Sequence, residues 1–366
     1  MKKKIFPLLI AIILFSLTYI LIGLWGIFEI KKNEKYLFKT QKNLNFHIKY
    51  SNKIHHLRDS NRWGSKENEY LFSIINKKKF NKTLLLQGDS WIEQISENKN
   101  SISAIKLFSN RMKLNTINAG ITSFAPSLMH IQYKIIKEDF KIIPNILIIY
   151  IDQTDLGDEK CRYLSKKVYS DSGDLKYITR EKFTRATFDY TKIYEYTNLY
   201  LAKNIFKTVI EFPYIKAKYI LKRNYTLLKS IIENGWSDRS AYKCGFREIR
   251  KELLNYDKNT KLIFQNSLKE YLDFLKDEKL LEKILIVSFP HKGHFDKTYN
   301  VNVSEYIDET LKDTNDKRIK HLNMSNKDFS NDLINNMYVK GDPSSHLKNT
   351  FHEKVFINNI LSSLEK

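Results

Sequence analysis

The hydrophobic pattern divides the chain into one long apolar run and a series of short ones. No charged side chain stands between Ile5 and Phe28, and as a helix this run would extend about 36 Å, enough to cross the hydrocarbon core of a bilayer. A polar stretch follows, to about residue 80. Beyond it, Thr83–Gln87 (TLLLQ), Leu114–Asn118, Asn145–Ile151 (NILIIYI), Lys283–Phe289 (KILIVSF) and, more weakly, Arg318–Met324 read as strands. The unbroken apolar character of 145–151 and 283–289 is that of strands covered on both faces of a parallel sheet.

Helical spacing fills the gaps. Ile92, Ile95, Ile102, Ile105 and Leu107 predict a helix over 91–112, a second is expected over 127–140, and Phe351, Val355, Phe356, Ile360 and Leu361 mark a closing helix over 349–364. Strands alternating with helices predict an α/β fold, a three-layer doubly wound (flavodoxin-like) parallel sheet of about five strands, with ligands at the carboxyl ends of the strands. Residues 160–282, rich in Tyr, Phe and Lys and without a clear strand, read as a mostly helical insert. The expected organisation is an anchor helix over 1–32, a stalk over 33–80 and one enzyme-sized domain over 81–366.

Charge changes this picture little. The 366 residues carry a formal net charge of +21, mostly from lysines spread along the chain, which favours anionic surfaces such as lipid headgroups or acidic glycans. Without clustered arginine or a recognition motif, no nucleic-acid partner is expected. The two cysteines, Cys161 and Cys244, form no CxxC pair, which removes thiol redox and structural zinc motifs; in an exported domain they are candidates for a disulfide. The apolar run lacks a small-x-small cleavage pattern and ends near Trp25, so it reads as a retained signal anchor. Its short amino-terminal tail favours N-in, with the folded part outside the cytoplasmic membrane.

The chemistry concentrates at two places. Gly88-Asp89-Ser90 stands where the first strand turns into a helix, a position that presents the Ser90 hydroxyl at the sheet edge; the plain alternative is that Ser90 only caps that helix. Asp342-Pro343-Ser344-Ser345-His346 precedes the closing helix, where His346 is a candidate base and Asp342 its orienting acid. Here the alternative is an Asp-Pro helix start. His291 and His294 form one HxxH without a third ligand, so no metal is expected. No P-loop, GxGxxG or zincin sequence is present, and no cofactor is expected.

In order, the chain has GDSW after the first strand, an isolated Gly120 after the second, a polar cluster after the third, and Asp342-x-x-Ser345-His346-Leu347 before the last helix. This order resembles the SGNH/GDSL hydrolases, especially membrane-anchored bacterial members. The resemblance implies Ser90 as nucleophile, His346 as general base and Asp342 as its acid, with the Ser90 and Gly120 backbone N–H groups as oxyanion donors. The third block of the family supplies an asparagine donor; here Asp152-Gln153-Thr154-Asp155 stands instead, leaving Thr154 or Gln153 to take that place. The acid also lies four residues before the histidine rather than the usual three. Asp89, Trp91, Asp155 and His291 are expected to touch substrate.

The implied activity is a serine esterase or O-acyltransferase that passes an acyl group through an acyl-enzyme, with an O-acylated, preferentially acetylated, envelope or extracellular polysaccharide as substrate. The expected partners are the cytoplasmic membrane through the N-terminal helix, an acylated glycan or other ester, and, for a transferase, a membrane acyl-transfer partner. The alternative is a catalytically silent, membrane-tethered binding or assembly factor on the same fold.

Overall fold

The structure, a computed structural model, describes residues 2–34, 37–50, 53–54, 71–179, 185–234, 257–342 and 345–365. The chain folds as two compact units: one of Met1–Tyr50, Arg58–Tyr70 and Glu181–Tyr242, the other of Ser51–Leu57, Leu71–Arg180 and Lys243–Lys366.

The first unit contains α1 (Lys2–Lys32) and α2 (Gln41–Tyr50), which precede everything else in the chain. The second is built on β1 (Ser73–Asn76), β2 (Lys82–Gln87), β3 (Leu114–Asn118), β4 (Ile146–Ile151), β5 (Lys167–Tyr169), β6 (Leu175–Ile178), β7 (Lys283–Ser288) and β8 (Ile319–Asn323). Its helices are α3 (Ser90–Glu93), α4 (Lys99–Arg111) and α5 (Pro126–Phe140). After them α6 (Arg185–Ala202) and α7 (Ile205–Asn234) belong to the first unit, and α8 (Lys258–Lys276), α9 (Lys292–Phe295), α10 (Val303–Lys312), α11 (Asn331–Met337) and α12 (Asn358–Glu365) return to the second.

Six strands form the main sheet in the order β1-β3-β2-β4-β7-β8, one more than the sequence predicts. All neighbours are parallel except β1, which pairs antiparallel with β3 at the edge. The added strand lies in the stretch expected to be a stalk. Four residues (SIIN) are too short to show a period, and the register slips between Ile74 and Asn76. Numbered by sequence among themselves, the five parallel strands run 2-1-3-4-5, the flavodoxin-type order, whose switch point falls between β2 and β4.

The sequence of β4, ILIIYI, alternates its side chains between two cores. Leu84, Leu86, Ile148, Tyr150, Leu285 and Val287 point to one cluster, closed by Trp91 and Ile92 on one side and by Ile105, Phe108, Phe356 and Ile360 on the other. The intervening Leu85, Leu147, Ile149, Ile284 and Ile286 are equally buried, beneath the packed pair α5 and α8. Helices therefore cover both faces, which is why these strands read as unbroken apolar runs.

Three further differences have local causes. The helix expected over 91–112 is interrupted, because Asn98 accepts from the N–H groups of Asn100 and Ser101 and so begins α4 as its cap. Residues 160–282 contain a β-hairpin, β5–β6, whose charged, half-exposed residues show little strand pattern. The same segment is divided between the units, with α8 in the larger and α6 and α7 in the smaller. Cys161 is disulfide-bonded; Cys244 lies outside the described residues.

The second face carries a buried polar network. Gln87 Nε2 donates to Met129 O at 2.9 Å and to Gln132 Oε1 at 2.7 Å, while Gln132 Nε2 donates to Ala119 O at 2.7 Å and Leu71 O at 3.0 Å. The Tyr271 hydroxyl closes it on Gln87 Oε1. Gln132 thus ties α5 to the loop after β3. Gln132→Leu would strand these carbonyls and the Gln87 amide, and is expected to lower stability by roughly 1–3 kcal/mol in urea denaturation of the full chain in detergent; a midpoint equal to the parent's would contradict the network's role.

Candidate active site

The site sits at the carboxyl end of β2, on the switch point. Two glycines allow the chain to fold tightly there. A Cβ on Gly88 would lie 2.6 Å from Ile92 Cγ1 and 2.9 Å from Tyr150 Cβ; one on Gly120 would lie 2.4 Å from the backbone nitrogen of Glu93. The loop after β3 therefore runs against the first turn of α3, held by Ile121 N–H donating to Gly88 O at 3.0 Å and Thr122 N–H donating to Glu93 Oε2 at 2.7 Å. Asp89 is the cap of α3: its Oδ1 accepts from Trp91 N–H at 2.9 Å. Ser90 follows as the first helical residue, so its own N–H has no intrahelical acceptor.

The partner residues come from the far end of the chain. Tyr338 and Leu347 bridge antiparallel, Val339 N–H donates to His346 O at 2.9 Å, and Gly341 and Ser345 take left-handed φ values of 75° and 53°. This turn folds Asp342 back under His346. Asp342 Oδ2 lies 2.5 Å from His346 Nδ1 and also accepts from the His346 backbone N–H at 3.1 Å. His346 Nε2 lies 2.6 Å from Ser90 Oγ. A carboxylate at Nδ1 fixes the proton there and leaves the Nε2 lone pair facing the serine hydroxyl, which donates to it. The short helix that follows, Asn349–Phe351, has Lys348 at its N-cap, so Asp342 does not start it. With side-chain exposures of 26% for His346 and 16% for Asp342, the pair is open to solvent on one side.

Several interactions with no motif set this alignment. Gln94 Nε2 donates to Leu347 O and Asn98 Nδ2 to Asn349 O, both at 2.8 Å. His352 bridges Ser101 Oγ, 2.9 Å from its Nδ1, and Trp91 O, 3.1 Å from its Nε2; burial lowers its pKa to about 4, so the ring is neutral and donates from Nε2. Lys292 N–H donates to Ser345 Oγ at 3.2 Å, and the Tyr338 hydroxyl to Pro290 O at 2.6 Å. Only the three-dimensional fold brings these pairs together, so no sequence signal marks them.

Under the serine lies a nest of acids. Asp152, at the end of β4, has Oδ1 at 2.8 Å from His291 Nε2, in ion-pair rather than aligned hydrogen-bond geometry, and accepts Thr154 N–H at 2.7 Å. Burial opposes its ionisation, but His291 and the hydrogen bonds from Asp89 and Thr154 outweigh it, and its pKa is lowered. Burial first and the Asp152 carboxylate second hold Asp89 well above the usual carboxylate range. The protonated form of Asp89 is thus favoured over the usual carboxylate. Because Asp89 Oδ2 is 3.3 Å from Ser90 Oγ, this form keeps a negative charge away from the place where an oxyanion would form. Asp155 is likewise raised by burial and by Asp89 and Asp152.

Asp89, Trp91, Asp155 and His291 are all buried. The Trp91 ring packs among Tyr150, Phe289 and Phe356 and stacks on His291 at 6.1 Å. Gln153 is also committed elsewhere: its Nε2 donates to Val301 O and its Oε1 accepts from Val303 N–H, both at 2.8 Å. The Gly120 N–H donates to Asn118 Oδ1 at 2.9 Å. Thr154 is buried and its N–H is taken by Asp152. His294 caps the turn at His291, its Nδ1 accepting from His291 N–H at 3.0 Å, and burial lowers its pKa to about 4. Among the described residues no cluster could hold a metal ion.

No protein-family model matches the chain, and no curated protein matches it by sequence. A solved structure of an acetyl xylan esterase (Est2A) from the rumen bacterium Butyrivibrio proteoclasticus is similar at a TM-score of 0.36 and 8% identity, over 79% of this chain and 64% of that one. The match spans less than two thirds of that esterase's length.

The acids next to the site also set a pH response. Burial pushes Asp158 up to about 7, Arg162 only partly offsetting it. A pKa raised on folding contributes stability that is complete below the unfolded value near 4 and is lost as pH rises through about 7. Relative to the parent, Asp158→Asn should therefore gain stability from pH 4 to pH 8, by up to roughly 4 kcal/mol. Thermal melts of both proteins across this range check it; parallel pH curves would contradict it.

Proposed function

We propose that this chain is a membrane-anchored serine esterase or O-acyltransferase of the SGNH/GDSL type. It acts outside the cytoplasmic membrane on an O-acylated, preferentially acetylated, envelope or extracellular polysaccharide. One observation carries the proposal: Asp342, His346 and Ser90 are linked in series, with Nε2 2.6 Å from Oγ, at the carboxyl edge of the sheet. No cofactor is required.

The chemistry follows from this order. Ser90 Oγ attacks the ester carbonyl carbon as its proton passes to His346 Nε2, and Asp342 stabilises the resulting imidazolium. The oxyanion accepts a hydrogen bond from the Ser90 N–H. Collapse breaks the bond to the leaving oxygen, which takes the proton from His346, and leaves an acyl group on Oγ. Water in a hydrolase, or a sugar hydroxyl in a transferase, then attacks the acyl carbon as His346 accepts its proton, and collapse breaks the bond to Ser90 Oγ, which takes that proton back. The helix α1, with Leu9–Lys32 long and apolar enough to cross a bilayer, is the anchor in this proposal, N-in, with the lysine-rich domain exported toward anionic envelope components and, for a transferase, toward a membrane acyl-transfer partner.

One observation favours a second function, a catalytically silent tethered binding or assembly factor. The Gly120 N–H and the Gln153 amide, two of the expected oxyanion donors, are both engaged within the protein. Reaction of the full chain in detergent with a fluorophosphonate probe and with p-nitrophenyl acetate separates the two. The enzyme is expected to be labelled at Ser90 and to hydrolyse the ester; Ser90→Ala should abolish labelling and lower kcat by about 10^6-fold, and Asp342→Asn by about 10^4-fold. Absence of labelling in the parent, or its persistence in Ser90→Ala, would overturn the catalytic assignment.

A further inference from the structure

The smaller unit has an apolar surface that the catalytic proposal does not use. Helices α6 and α7 form a hairpin, turned at Lys203 with a left-handed φ of 49°. The start of α7 packs against the carboxy-terminal half of α1. A Cβ on Gly23 would lie 2.2 Å from Val209 O and one on Gly26 2.3 Å from the Phe212 ring, so the two helices approach at near-backbone contact through small residues. The Tyr19 hydroxyl donates to Ile210 O at 2.6 Å, and the Trp25 and Phe212 rings meet edge-on at 5.8 Å. Ile30 lies in one cluster with Tyr196, Leu199, Phe212 and Ile215. The two helices thus run in the same sense, with Val209 beside Gly23, Phe212 beside Gly26 and Ile215 toward Ile30.

These interactions fix the depth of the hairpin. The uncharged run of α1 ends at Phe28, and Tyr19 lies nine residues, or about 13 Å, inside that end. Ile205 and Phe206 come about one turn before Val209 and so lie near the level of Tyr19. Phe206 is 81% exposed within the protein, and with Ile210, Tyr214, Leu221 and Tyr225 it forms a single stripe at helical spacing, each member more than half exposed. In water this stripe would be an unpartnered apolar face; at that depth lipid acyl chains cover it. Of the charges beside the stripe, Lys207 pairs with Glu211 at 3.9 Å and Lys218 with Glu195 at 3.5 Å, the Lys216 ammonium lies 4.8 Å from the Trp25 ring, an aromatic type suited to the interface, and Lys203 at the turn brings a further charge to the tip.

We propose that the α6–α7 hairpin inserts its tip into the bilayer leaflet on the carboxy-terminal side of α1, so that the chain is held by a transmembrane helix and a monotopic wedge together. The anchor becomes a rigid three-helix element in place of a single helix on a polar tether. The proposal rests on α1 spanning the bilayer. A lipid-facing stripe differs from a protein-docking face in what touches it when the chain is alone in a membrane.

The test uses the full chain reconstituted in phosphatidylcholine–phosphatidylglycerol vesicles. Phe206→Cys, Tyr225→Cys and, as a reference on α1, Leu21→Cys are each labelled with an environment-sensitive fluorophore without reductant, the parent chain supplying the background. The expected result is a blue-shifted Phe206→Cys signal that is lost with mid-chain brominated lipids and unchanged by aqueous iodide, as for Leu21→Cys, with a shallower response at Tyr225→Cys. If Leu21→Cys is quenched by lipid and Phe206→Cys by iodide, the hairpin is in water and the wedge is overturned while the anchor stands. If both are quenched by iodide, α1 does not span and the wedge falls with it. Shielding of Phe206→Cys from both quenchers means that protein covers the stripe, which also overturns it.

Discussion

Everything at the site depends on a hydrogen-bonded series joining two ends of the soluble fold: Asp342 to His346, and His346 to Ser90, across 256 residues of sequence. No local structure can make this contact. Ser90 is placed by the end of β2 and the cap at Asp89, His346 by a turn that closes through the Tyr338–Leu347 bridge. What aligns them is a set of side-chain to carbonyl bonds between the α3–α4 segment and the start of the last helix, from Gln94, Asn98 and His352. Each contributes modestly alone, yet a shift of one ångström between these segments would separate the hydroxyl from its base.

The electrostatics below the serine serve the same end. Three buried aspartates close to Ser90 would oppose a developing oxyanion if all were ionised. Burial and mutual repulsion raise Asp89 and Asp155 well above the usual carboxylate range, while Asp152, next to His291, is lowered. The apolar floor of Trp91, Tyr150, Phe289 and Phe356 makes this arrangement possible by excluding water.

Much of the sheet was legible in the sequence because burial on both faces leaves the middle of β4 and β7 as unbroken apolar runs, and because Gly88-Asp89-Ser90 marks a sharp strand-to-helix turn. Other features were hidden. The edge strand β1 is too short to carry a period, and β5–β6 is half exposed. Depth was hidden too: Asp89, Trp91 and His291 stand beside Ser90 in sequence or in loop order, yet are buried, and nothing in residue type marks that. Gly120 was legible as special, but its absent side chain answers first to the backbone of Glu93. The closeness of Asp342 to His346 at a spacing of four depends on two left-handed residues, of which Gly341 alone has a sequence signature.

The decisive measurement is a crystal structure of the full chain after reaction with a fluorophosphonate. The account predicts a single phosphonyl group on Ser90 Oγ, with the phosphoryl oxygen accepting from the Ser90 N–H, and His346 still bonded to Asp342 and within hydrogen-bond reach of the adduct. Phosphonylation at another residue, or a His346 ring turned away from Ser90 with Asp342 on a separate surface, would contradict it.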